Sequence, residues 1–99
     1  MRNVTDEIQD ELDRQDARWG EQNHPDGTGL TGDRELSDDV RRFTDWMAST
    51  GNLTWRDILW EEVREAFAET DEDRLREELV QVAAVAANWV NAIDRRRRG

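Results

Sequence analysis

Apolar residues recur along this chain at helical spacing. Val4, Ile8, Leu12 and Trp19 trace a first helix from Met1 to Arg18, with Asn3 or Thr5 as its cap and the acids Asp6 and Glu7 at the positive end of its dipole. Its remaining face is strongly charged and expected to be wet. Ser37 is expected to cap a second helix reaching about Ser49, with Asp38 and Asp39 in the first turn and Val40, Phe43 and Met47 or Trp46 inward; Gly51-Asn52 ends it. Thr54, with Asp57 three residues on in the manner of a capping box, opens a third helix from about Trp55 to Glu69. In that helix Trp55, Ile58, Leu59, Val63 and Ala66 share one broad apolar arc. Thr70 can cap the last helix, about Asp71 to Arg95, in which Leu75, Leu79, Val82, Ala86, Trp89 and Ile93 step by four and three as in a bundle seam. From Leu79 to Ile93 this helix is apolar nearly all round, with Val80, Ala84 and Ala87 away from the seam. It is therefore expected to be covered on two sides and to offer a dimer interface. The pattern predicts one all-α domain over residues 1–99, a four-helix bundle-like fold whose last two helices form an antiparallel hairpin.

Between the first two helices, Trp19 to Gly29 packs three Gly and the chain's only Pro into eleven residues and cannot be helix. Leu30 to Leu36 reads as a loop or ragged turn. At 99 residues, 35% hydrophobic and 38% charged, a lone copy buries little, so assembly as a homodimer or larger oligomer, up to a tetramer, is expected. There is no Cys, which removes disulfide and thiolate chemistry, and no apolar run that would cross a membrane, so a cytoplasmic protein is expected. The net charge of -10 argues against general nucleic-acid binding, and less strongly against nucleotides, because an acidic site binds phosphate through a metal. All fourteen basic residues are Arg, a compositional bias without functional content.

The acids of the hairpin change the picture. Glu62 falls inside the apolar arc of the third helix, between Ile58 and Ala66, and Glu65 lies at its edge; Glu78 borders the seam of the last helix, and Gln81 lies one step further round. Folding the two helices back about Thr70-Asp71-Glu72-Asp73 sets Glu65 against Glu78 and Glu62 against Gln81. Two carboxylates about 5 Å apart repel by roughly 3 kcal/mol at an effective dielectric near 20, so three mutual pairs approach about 10 kcal/mol. A small domain has only about 5 to 15 kcal/mol of stability in all. Protonation, a bound Arg, or a hard cation such as Mg²⁺ must relieve the strain. The alternative is that the helices are rotated and the acids simply solvated.

Glu62-x-x-Glu65, a twelve-residue spacer and Glu78-x-x-Gln81 resemble the ExxE...ExxD signature of the MazG-like, all-α nucleoside triphosphate pyrophosphohydrolases. Glu77-Glu78-Leu79-Val80-Gln81 is similar to that family's EELGD, and Asn88 falls seven residues on, where the family often carries Asn. The resemblance covers about Trp55 to Ile93, with a weaker echo from Arg18 to Pro25. It implies hydrolysis of a nucleoside triphosphate to monophosphate and pyrophosphate, with Mg²⁺ or Mn²⁺ as cofactor. Glu62, Glu65, Glu78 and Gln81 would form the ligand set, Glu62 sharing in catalysis and Glu61 acting as base or outer-shell ligand. Gln81 departs from the pattern, offering a carbonyl oxygen where the family has a charged Asp. The segment Arg18-Trp19 with Gln22, Asn23 and His24 holds an indole to stack and polar groups to read a base, and similar segments follow the first helix in small members. Asn88 joins these as a candidate nucleotide contact. An ordinary turn, with Trp19 plugging the core, is the other reading of that loop. His24 has no second His or Cys to make a metal site. Arg95 to Arg98 suits a helix C-terminus, a phosphate-binding tail being the other option. The rival reading of the whole chain, favoured by Gln81, is a non-catalytic helical module for nucleotide sensing or protein binding.

Overall fold

A computed structural model describes residues 2–99; Met1, assigned above to the first helix, lies outside them. The described residues form α1 (Val4–Trp19), α2 (Asp33–Ser49), α3 (Trp55–Ala68) and α4 (Glu72–Arg98), with no strand among them. The all-α expectation is met.

Each helix boundary has a local cause. Asn3 rather than Thr5 caps α1, its side chain accepting from the Thr5 amide at 2.7 Å, and Gly20, at φ +68°, closes the helix by donating to Asp16 O. α2 begins at Asp33, not at Ser37. Asp33 accepts from the Leu30 amide at 2.8 Å and from Arg64 Nη2 of α3 at 3.0 Å, which settles the N-terminus four residues early and leaves Ser37 buried inside the helix. The inward positions are then Ser37, Val40, Thr44 and Met47, while Phe43 and Trp46, two of the expected core candidates, face outward and pack against each other. Thr54 and Asp57 form the expected capping box of α3, with Asp57 buried. Asp71, not Thr70, caps α4 by accepting from the Arg74 amide, and α4 runs on to Arg98.

The packing differs from the expected frame in two ways. It is α3, not α4, that is covered on both sides, because α2 and α4 both pack against it and α1 touches α4 alone. The buried side of α4 also follows Leu75, Glu78, Val82, Val85 and Trp89, whereas Leu79 is 50% exposed and Ala86 faces solvent. Both frames satisfy steps of three and four. The observed one shelters Val85 along with Val82 and Trp89 and gives up Leu79, and so turns Glu78 toward α3. The short connections make neighbours antiparallel: Arg34 at the start of α2 reaches Ala68 O at the end of α3, and Trp89 late in α4 lines a cleft with Trp55 and Ile58 early in α3.

The result is a slab, 41 × 37 × 19 Å, with a radius of gyration of 15.9 Å; a compact chain of this length has about 13 Å. Val40, Ala66, Ala68 and Leu75 are the fully buried apolar residues, while Ile8, Leu12, Trp46, Trp60 and Val80 stand exposed. No described helix is long and apolar enough to cross a membrane.

One glycine fastens the α1–α2 loop to the hairpin. Gly29 donates to Phe67 O at 2.8 Å with φ +71°, and a Cβ there would press into the Thr70 methyl. Gly29→Ala therefore combines left-handed strain with a clash at the α3–α4 joint, and is expected to lower stability by about 1 to 3 kcal/mol in urea unfolding. An unchanged unfolding midpoint would show that this tether carries no weight.

Candidate metal centre

Glu61, Glu62 and Glu65 come from α3, whose central place in the slab half-buries even its polar positions; Glu78 comes from the inward stripe of α4. Glu62, Glu65 and Glu78 each bring a carboxylate oxygen to within 4.8 Å of the other two. The expected meeting of Glu65 with Glu78 is thus present in the structure, and Glu62 joins them. Burial pushes the carboxyls of Glu61, Glu62 and Glu78 above the usual range, and neighbouring carboxylates push further: Glu65 first in each case, then Glu78 and Glu61 for Glu62, Glu69 and Glu77 for Glu78, and Asp45 for Glu61. Two carboxylate oxygens, Glu62 Oε2 and Glu78 Oε2, are buried without a hydrogen-bond partner.

The donor set fits a hard divalent cation. It is all oxygen and predominantly anionic, and the partnerless oxygens are a cost that a cation would remove. Gln81, one turn beyond Glu78 on α4, is exposed and carries no charge.

One participant is invisible to the sequence pattern. Arg41 of α2 donates from Nη2 to Glu65 Oε1 at 3.0 Å, and its Nε lies 3.9 Å from Glu61 Oε1. Finding it requires the α2–α3 register; the only local hint is that Arg41 follows the buried Val40 and so flanks the inward stripe. A second cross-helix pair, Arg64 with Asp33, is well buried and ties the start of α2 to α3, with Arg64 also lying over the Phe67 ring at 5.2 Å.

The candidate base-reading residues sit elsewhere. Trp19, Gln22, Asn23 and His24 line a shallow cleft with Glu21, all of them exposed. Arg18 stacks on the Trp19 ring at 4.8 Å, Asn23 Nδ2 donates to Glu21 Oε2 at 2.8 Å, and His24 Nε2 lies 3.1 Å from Gln22 Oε1. Trp19 is 57% exposed and does not plug a core. Asn88 is an exposed residue of α4. Among the described residues, no hydrogen bond or ion pair joins this group to the acidic trio. Arg97 and Arg98 line a cleft with Arg2, Glu7 and Asp94, where the start of α1 meets the end of α4.

The fold and site thus define an all-α chain with a three-carboxylate cluster across an antiparallel helix pair. No known protein family, curated protein or solved structure matches it.

Proposed function

We propose that this chain is a divalent-metal-dependent nucleoside triphosphate pyrophosphohydrolase of the MazG-like kind, releasing a nucleoside monophosphate and pyrophosphate. The observation that carries this reading is the convergence of Glu62, Glu65 and Glu78 within 4.8 Å, two of them with buried, partnerless oxygens. These three would hold Mg²⁺ or Mn²⁺, with Gln81 as the neutral fourth member. Such an ion supplies charge neutralisation and polarisation of phosphoryl oxygens. Glu61 is the adjacent carboxylate outside the trio; its raised proton affinity suits it to take the proton of an attacking water at neutral pH. The aromatic and amide groups of Trp19, Gln22, Asn23 and His24, with Arg18 and Asn88, supply stacking and hydrogen bonds for the nucleotide. The exposed apolar residues of α4, Leu79, Val80 and Val90, suit assembly into a dimer or tetramer.

Two observations favour a non-catalytic nucleotide-sensing or protein-binding module instead: among the described residues no hydrogen bond or ion pair joins the loop group to the trio, and the fourth position is an uncharged, exposed Gln81. A panel of nucleoside triphosphates incubated with Mg²⁺ or Mn²⁺ separates the two. The expected result is stoichiometric monophosphate and pyrophosphate, reduced on the order of a hundredfold in Glu65→Gln. Intact nucleotide across the whole panel with both ions would leave the binding module as the reading.

A further inference from the structure

Arg41 reaches the acidic cluster from outside the hairpin. Glu65 and Glu61 are 19% and 20% exposed in their side chains, and Arg41 is 54% exposed, so the guanidinium covers the cluster from the solvent side. Its base is fixed and its head is paired at the surface: Val40, one residue earlier, is 2% exposed and anchors this turn of α2, while the half-exposed guanidinium is held by Glu65 and lies near Glu61. Glu65 belongs to the converging trio, so Arg41 and a cation address the same carboxylate.

We infer that Arg41 is the exchangeable counter-ion of this site: it neutralises Glu65 when no cation is held, gives Glu65 up when one is, and then presents its guanidinium to the phosphate oxygens of the ligand. This rests on the metal-site reading given above. The exchange is cheap on the Arg41 side, because a half-exposed ion pair contributes little. It is directed, because Glu61, already 3.9 Å from Nε, retains the guanidinium at the edge of the cluster after Glu65 is taken. The planar fork of Arg matches phosphate oxygens in a way that a point charge does not. The ligand class follows: an oligophosphate bound partly by the cation and partly by Arg41.

The test uses the whole chain as wild type, Arg41→Gln and Arg41→Lys, with Mn²⁺ binding followed by electron paramagnetic resonance and inorganic tripolyphosphate binding to the Mn²⁺-loaded protein followed by calorimetry. Arg41→Gln is expected to bind Mn²⁺ about two- to fivefold more tightly, the competitor being gone. The loaded variant is expected to bind tripolyphosphate about tenfold more weakly, with Arg41→Lys between it and wild type. Circular dichroism establishes that the variants fold; if Arg41→Gln does not, Arg41→Lys carries the same two comparisons. Mn²⁺ affinity that is unchanged or reduced, or tripolyphosphate affinity that ignores residue 41, would leave Arg41 as a tie between α2 and α3 and overturn the exchange alone. A wild-type protein that binds no Mn²⁺ would instead overturn the metal-site reading and the exchange with it.

Discussion

Millimolar Mg²⁺ or Mn²⁺ is expected to raise the melting temperature of this protein, and Glu62→Gln to remove most of the rise. The unfolded chain does not hold the trio together, so a cation is expected to bind the folded chain in preference to the unfolded one; at a hundredfold excess over its dissociation constant this would contribute about 2.7 kcal/mol. For a domain of this size the shift is on the order of 10 °C. The charges that act on Glu62 are all acids, Glu65, Glu78 and Glu61 each raising its proton affinity after burial has done so. Removing its charge therefore relieves the metal-free protein while it weakens the site. The same electrostatics set a pH dependence. Glu61, Glu62 and Glu78 bind protons more tightly folded than unfolded, so from the ordinary Glu range near about 4.5 upward the folded chain holds the extra protons, and metal-free stability falls as pH rises through the raised values. Asp10 and Glu11, lowered by hydrogen bonds from Arg2 and Arg14, act in the opposite sense below the ordinary range, at half-exposed surface positions. As pH rises above the ordinary Glu range the metal-free melting temperature should therefore decline, and Mn²⁺ should reverse the slope, because ligand carboxylates must be deprotonated. Thermal scans at three pH values with and without Mn²⁺ measure both effects; melting temperatures indifferent to the ion would remove the metal centre.

Gln81→Asp is expected to tighten metal binding and to weaken the metal-free fold. A fourth carboxylate one turn from Glu78 adds charge beside an already repulsive trio, costing about 1 kcal/mol, since the exposure of Gln81 lets water screen much of the added charge. With the cation present, the same charge becomes a ligand. The two substitutions read together distinguish three proteins. An enzyme that works with Gln81 loses activity in Glu62→Gln, a weakened site gains affinity in Gln81→Asp, and a purely structural hairpin responds to metal in neither.

Local signals were legible where the chemistry is local. The Thr54–Asp57 box and the Glu62/Glu65 pair follow from residues three apart, and a cap at Asn3 or Thr5 from the first residues of the chain. Three features depend on distant partners and were not. Ser37 has the chemistry of a cap, but Asp33 takes the N-terminus of α2 because Arg64, 31 residues on, holds its carboxylate. Leu79 looks like a seam residue, but a spacing of three or four allows two frames that share Val82 and Trp89, and the packed structure takes the one that shelters Glu78 and Val85 instead of Leu79 and Ala86. Arg41 is one Arg among fourteen until α2 is laid along α3.

Apart from the touch of α1 on α4, every helix in this slab packs only on its neighbours in sequence, and α3 and α4 are joined by three residues. Closing so short a loop is an early and fast event in folding. The carboxylates of Glu62, Glu65 and Glu78 therefore meet while the hairpin is forming, and their repulsion burdens the folding step more than it hastens unfolding. A divalent cation is then expected to speed the folding of this chain more than it slows unfolding, as a counter-charge that lets the hairpin close.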